Sequence, residues 1–160
     1  MPHLFLDADG VLADFDAGAR VQLGMTPREF EDRHGRREFW RRIATAPDFY
    51  GSLPEMPDAR LLFDAVKHLN PTILTGLPLG NWAAPQKLRW AAEHFPGTKI
   101  ITCMARDKYR HMIRGDILVD DREDHRAKWE DAGGIFVHHK NARASLEKLA
   151  RLFPSVRTDA

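Results

Sequence analysis

A chain of 160 residues, 43% hydrophobic and 29% charged, has the composition of an ordinary globular protein and excludes intrinsic disorder. Its 24 basic residues nearly balance 23 acidic ones, leaving a net charge of +1, so a nucleic-acid polymer is not the expected partner. A lone cysteine, Cys103, excludes an intramolecular disulfide framework and suits a reducing compartment. No apolar run reaches the roughly 18 residues of a membrane span, and Met1 leads into a short apolar stretch without a basic leader or cleavage site, so a cytoplasmic location without a membrane is expected.

Residues 3–6 are a short apolar run that ends in acidic residues and reads as a strand. Residues 14–55 are rich in Arg, Glu and aromatics, with helical pieces over 17–23, 27–34 and 37–44. A connection of that length is too long for a plain crossover and predicts a small helical cap inserted after the first strand. Residues 57–69 carry Leu61, Leu62, Ala65, Val66 and Leu69 at helical spacing, with Pro57 and Asp58 at a suitable start. A second strand over 72–74 follows Pro71 and ends at Thr75-Gly76, and a helix over 83–95 carries Leu88, Ala91, Ala92 and Phe95. Residues 99–102 are β-branched, and residues 116–119 end at Asp120-Asp121. A helix over 123–132 stops at Gly133, a strand over 135–137 follows, and a helix over 142–152 closes the pattern. Continuously apolar strands alternating with amphipathic helices predict an α/β fold with a five-stranded parallel sheet. The expected division is a core of residues 1–13 and 56–160 and a cap of residues 14–55.

The chemistry concentrates where strands end. Asp7-Ala8-Asp9-Gly10-Val11-Leu12 closes the first predicted strand and Asp120-Asp121 closes another. In open α/β sheets ligands bind at the carboxyl ends of the strands, so these four carboxylates are expected to converge. Four carboxylates close together require a cation. Magnesium fits, because it takes one or two carboxylates with water and phosphate oxygens, while a site offering no Cys and no obvious His argues against zinc or copper. One Asp-x-Asp alone is a solvated turn; two acidic pairs, each closing an apolar strand, are read as functional.

Thr75 and Gly76 offer a hydroxyl and an amide to phosphate oxygens. Lys87 lies near the start of a helix, where a cation opposes the dipole, and that small cost points to a use as readily as to a solvated surface lysine. Arg106, Lys108, Arg110 and Arg114 form a basic stretch, of which one or two are expected near phosphate and the rest in water. His138 and His139 are adjacent on a strand and face opposite sides, so they do not share a metal. Cys103 and Trp90 read as packing residues, and Trp82 as an even contender for the rim of the site.

In order, Asp7-Ala8-Asp9-Gly10-Val11-Leu12, Thr75, Lys87 and Asp120-Asp121 resemble the four motifs of the haloacid dehalogenase superfamily of phosphatases, over residues 3–135. The resemblance implies a Rossmann-like core, Asp7 as nucleophile, Asp9 as general acid and base, Thr75 and Lys87 on the phosphoryl group, and Mg2+ on Asp7, the Asp9 carbonyl and Asp120, with Asp121 in support. Residues 9–15, Phe39-Trp40, 85–95, Arg106-Asp107-Lys108 and 117–122 are more closely similar to the 5′(3′)-deoxyribonucleotidases. That likeness implies cap aromatics, here Phe39 and Trp40, stacked on a nucleobase, and basic residues Arg106, Lys108 and Arg122 near the phosphate. Gly76 stands where that family usually has Ser, and residues 77–82 lack a lysine that relatives often supply. The expected activity is Mg-dependent hydrolysis of a small phosphomonoester, a (deoxy)nucleoside monophosphate, through an aspartyl-phosphate. A sugar phosphate is the alternative substrate, and a non-catalytic phosphate- or Mg-binding module the alternative class, disfavoured because binding alone does not need both Asp7 and Asp9. The exposed cap offers an interface for a homodimer.

Overall fold

A computed structural model describes residues 1–158. Short apolar runs can bury both faces only inside a sheet covered on two sides, and five of them pair in that way. Strands β1 (Leu4–Leu6), β2 (Thr72–Gly76), β3 (Ile100–Cys103), β4 (Ile117–Asp120) and β5 (Ile135–His138) form one parallel sheet in the order β3-β2-β1-β4-β5. Strand alternation divides their side chains between two cores. Leu4, Leu6, Ile73, Ile117, Val119 and Val137 join the larger cluster. Phe5, Leu74, Leu118 and Phe136 pack with Trp129 on the opposite face.

The described residues form seven α-helices: α1 (Phe15–Leu23), α2 (Pro27–His34) and α3 (Arg36–Ala44) pack on one another, and α4 (Ala59–Val66), α5 (Ala83–His94), α6 (Arg126–Asp131) and α7 (Ala142–Leu152) alternate with the strands. Their starts follow local chemistry. Asp14 caps α1 through the Ala17 N–H, Thr26 caps α2 through the Glu29 N–H ahead of Pro27, and Asn141 caps α7 through the Ala144 N–H. The stretch expected to be one helix over 57–69 tightens into a 3-10 turn at Lys67–Leu69, ended by Asn70 in a left-handed conformation. The stretch over 123–132 begins as a 3-10 turn, Glu123–His125, before α6, and a further 3-10 segment, Ala105–His111, follows β3 where no regular structure was expected.

The polypeptide leaves the sheet after β1, forms α1, α2 and α3, and returns beside its point of departure. The Asp14 N–H donates to Pro54 O and the Met56 N–H to Leu12 O, each at 2.8 Å. Two chain segments thus tie the root of the helical unit. Phe30, Phe39, Ile43 and Phe49 form its interior and are continuous with the larger core. Among the described residues, no helix is long and apolar enough to cross a membrane.

Candidate active site

Register decides which carboxylates meet. Leu6 pairs with Val119, and the Asp7 N–H donates to Val119 O at 2.9 Å. Asp7 and Asp120-Asp121 therefore leave neighbouring central strands side by side. One oxygen from each of Asp7, Asp120 and Asp121 lies within 4.8 Å of the others. The loop after β1 turns sharply, the Ala8 carbonyl accepting from Val11, Leu12 and Ala13. At its apex Gly10 has φ +82, and a Cβ there would lie 2.0 Å from Asp121 Oδ2. Only glycine permits both the left-handed backbone and so close an approach.

Lys108, 3% exposed, donates to Asp7 Oδ1 and Asp120 Oδ2, each at 2.9 Å. Burial alone would lower its pKa, but the two carboxylates raise it above the ordinary lysine value. Asp120 also meets His125 Nδ1 at 2.7 Å and accepts from the Arg122 N–H at 2.9 Å. Burial pushes the Asp120 carboxyl up, yet the His125 hydrogen bond and the Lys108 charge outweigh it and hold the group below the usual carboxylate range. An ionised Asp120 can only accept, so Nδ1 of His125 carries the proton. Burial first, then the Asp120 charge, drive Asp7 well above its ordinary value against the pull of Lys108. The same two causes push Asp121 up to about 6.

The second lysine sits on the other acidic residue. Lys87, 4% exposed, places its three protons on Asp9 Oδ2 at 2.9 Å, Thr75 Oγ1 at 2.7 Å and Gly76 O at 2.8 Å. Its ammonium lies 4.5 Å from the centre of the Tyr50 ring, which stacks on Trp82 at 5.5 Å. Burial, then the Asp9 charge, keep the Tyr50 phenol protonated.

Several expected placements are corrected. Three carboxylates converge, not four: the Asp9 side chain is drawn onto Lys87. Asp121 stands in the cluster itself and not behind it. Of the two lysines expected near the phosphate, Lys108 touches Asp7 and Lys87 touches Asp9 and Thr75. Arg106 is exposed on the 3-10 segment and lines a neighbouring cavity, apart from Thr75 and Lys87. Phe39 is 2% exposed, packed among Phe15, Phe30 and Trp40, and has no free face for a base, whereas Trp40 is half-buried. Adjacent helical residues diverge by about 100°, which gives one of the pair to the interior. Nothing in the sequence marks His125 or Tyr50 as site residues, because a 3-10 turn and the return from the helical unit bring them in. Trp90 is buried, its indole N–H on Leu53 O. His139 is buried against Ser145, while His138 turns to the Asp121 carbonyl.

The triad fits a divalent cation. Three carboxylates with one lysine retain two negative charges when all are ionised, Asp121 Oδ1 is buried without a hydrogen-bond partner, and every donor is a hard oxygen.

The family described as "5' nucleotidase, deoxy (Pyrimidine), cytosolic type C protein" matches residues 24–151, a span that includes Thr75, Lys87, Lys108 and Asp120-Asp121 and begins after Asp7 and Asp9. The chain is 27% identical over 155 residues to the cytosolic type 5'(3')-deoxyribonucleotidase of Homo sapiens, covering 80% of this chain and 74% of that one. Among solved structures, L-2-haloacid dehalogenase from Xanthobacter autotrophicus with chloropropionic acid covalently bound superposes with a TM-score of 0.58 at 14% identity, covering 98% of this chain and 85% of that one. A hydrolase from Streptococcus pneumoniae TIGR4 gives a TM-score of 0.54 at 10% identity, covering 95% and 97%. At these identities the structural likenesses establish a shared fold, the Rossmann-like α/β architecture of the haloacid dehalogenases.

Proposed function

From the premise that the chain belongs to the cytosolic type C family of 5′ nucleotidases and is a nucleotide phosphomonoester hydrolase, we propose that it dephosphorylates (deoxy)nucleoside monophosphates with Asp7 as nucleophile, Asp9 as general acid and base, and Mg2+ on Asp7, Asp120 and Asp121. The observation that carries this reading is the pairing of two buried lysines with two acidic residues of different duty: Lys108 with Asp7, and Lys87 with Asp9. The helical unit of residues 14–55 acts as a cap, with Trp40 as its aromatic contact to the base. The cytosolic-type family supports a cytoplasmic location.

A phosphate monoester resists attack because its charge repels an approaching oxygen. Mg2+, when bound, would neutralise phosphoryl oxygens and favour the ionised form of Asp7. The Ala8 N–H and Lys108 both hold Asp7 Oδ1 at 2.9 Å, which orients the carboxylate and leaves Oδ2 as the attacking oxygen. The phosphorus–ester bond breaks as Oδ2 bonds to phosphorus, and the leaving oxygen takes a proton from Asp9. A phosphoryl oxygen arriving beside Thr75 competes with Asp9 for the protons of Lys87, which frees the Asp9 carboxyl to carry its own. Asp9 then takes a proton from the water that cleaves the aspartyl-phosphate.

Phosphate release from a panel of nucleoside 5′- and 3′-monophosphates, sugar phosphates and p-nitrophenyl phosphate, with and without Mg2+, tests the reading. Nucleotides are expected to lead, and Asp7→Asn to lower turnover by more than about a thousandfold with the circular dichroism spectrum unchanged. Residual activity within about tenfold of wild type would remove Asp7 as nucleophile; a lead by sugar phosphates would remove the nucleotide as substrate.

A further inference from the structure

A cavity of about 280 Å3 adjoins the carboxylate site. Arg36 comes to it from α3, Arg106 and Tyr109 from the 3-10 segment after β3, and Arg122, His125 and Lys128 from the chain after β4, where Asp124 adds the one carboxylate of the lining. Lys108 and His125 form the shared wall, since both line the cavity and both hold Asp120. Some of its cations are already matched. Lys108 is taken by Asp7 and Asp120, and Arg122 by Asp124 at 3.0 Å. Arg36, Arg106 and Lys128 make no ion pair among the described residues, and all three side chains are exposed.

Exposed arginines and lysines are ordinary where they point singly into water. Here three come from segments far apart in sequence and line one concavity, where low-dielectric walls reinforce a common positive potential. Arg36 also opens α3, which starts without a side-chain cap, so its charge lies at the positive end of the helix dipole and opposes it. Neither feature helps the fold; both favour an anion in the cavity. Tyr109 adds a flat wall, with the Lys128 ammonium 5.8 Å from its ring centre.

We propose that this cavity is a second anion subsite, which holds the non-reacting phosphoryl group of a nucleoside 3′,5′-bisphosphate while the other phosphoryl group meets Asp7. The assignment rests on the nucleotidase reading above. A furanose ring separates the two phosphoryl groups of a bisphosphate, as the Lys108 and His125 wall separates the cavity from Asp7. In a 5′-diphosphate the two phosphoryl groups share one bridging oxygen, a shorter span than the furanose ring of a 3′,5′-bisphosphate provides. The reaction is balanced with water alone. The ester P–O bond breaks at the reacting end, the leaving oxygen takes the Asp9 proton, and a P–O bond forms to Asp7. Water then cleaves that bond and returns a proton to Asp9. The products are a nucleoside monophosphate and orthophosphate.

The test compares a deoxynucleoside 3′,5′-bisphosphate with its 5′-monophosphate and 5′-diphosphate. Steady-state kinetics with Mg2+ are measured on wild type and on Arg36→Gln/Lys128→Gln, and calorimetric binding on the Asp7→Asn form of each. The bisphosphate is expected to bind wild type about tenfold or more tightly than the monophosphate, with an advantage that shrinks as salt is added. The double variant should lose that advantage through KM, with kcat retained and p-nitrophenyl phosphate turnover changed by less than about twofold. Equal binding of bisphosphate and monophosphate, an advantage that survives the double variant, or an equal gain for the 5′-diphosphate would each overturn the assignment. Loss of all nucleotide turnover with p-nitrophenyl phosphate turnover intact would instead overturn the nucleotidase reading, and the calorimetric comparison would still decide the subsite.

Discussion

Lys108 holds a full charge in a place 3% exposed, because Asp7 and Asp120 each accept one of its protons. A buried lysine without such partners would lose its proton. Its position depends on the 3-10 segment that begins at Ala105, and that segment is packed against the end of β2. A Cβ on Gly76 would lie 2.8 Å from Ala105 Cβ and 3.1 Å from its Cα. The missing serine of the deoxyribonucleotidase pattern is therefore part of a matched pair of small residues. Gly76→Ser is expected to lower stability by about 1–3 kcal/mol through overpacking, and to reduce turnover by shifting Lys108. Gly76→Ser/Ala105→Gly should recover much of both, as chemical denaturation and phosphate release would show. Full stability and activity in the single Gly76→Ser variant would refute the steric account.

Helix α3 places Phe39 and Trp40 in different surroundings although they are neighbours in sequence. Phe39 fills the interior of the helical unit, against Phe30 at 6.3 Å and edge-on to Trp40 at 5.1 Å. Phe39→Ala is expected to reduce the unfolding free energy by about 3–5 kcal/mol, the range for deleting a buried aromatic ring. Trp40→Ala should be milder for stability and should raise KM for nucleoside monophosphates by about tenfold, as expected when a stacking surface is removed. Activity on p-nitrophenyl phosphate should suffer less. Equal losses on both substrates for Trp40→Ala would assign Trp40 to packing alone.

Across the whole molecule, charge near neutrality conceals two sites of strong local field: the carboxylate triad and the adjoining cationic cavity. With Mg2+ on the triad as proposed, stability is expected to depend on pH and metal together. Asp121, pushed up to about 6 by burial and by the Asp120 charge, binds a proton more tightly in the folded chain than the ordinary value of 3.8 implies for the unfolded one. Its stabilising contribution is therefore complete below that lower value and is lost as pH rises through about 6. Asp7 shifts in the same direction, while buried His139, held below its ordinary value, works in the opposite one. Comparison with Asp121→Asn isolates the effect. In EDTA, the melting temperature of wild type should fall relative to that of Asp121→Asn between about pH 5 and about pH 7, and Mg2+ should close the gap at the upper end. A gap indifferent to both pH and Mg2+ would show that the triad neither strains the metal-free protein nor binds the ion.

The sequence by itself determined the sheet, the order of helices and strands, and the chemical class. Continuous apolar runs, capping residues such as Asp14 and Asn141, and acidic pairs at strand ends are local signals, and each strand was legible to within two residues. It could not show which cation serves which carboxylate. Lys87 and Lys108 are both lysines near plausible motifs, and only strand register and a 3-10 turn after β3 bring Lys108 to Asp7 and leave Lys87 with Asp9. Tertiary structure also parted Asp9 from the other three carboxylates, because Lys87 of α5 holds its Oδ2. It likewise drew Arg36, Arg106 and Lys128 from three separate segments to one cavity. Periodicity reports which residues face inward from their own element. Which inward-facing groups meet one another is set by how elements pack, and no single segment encodes that.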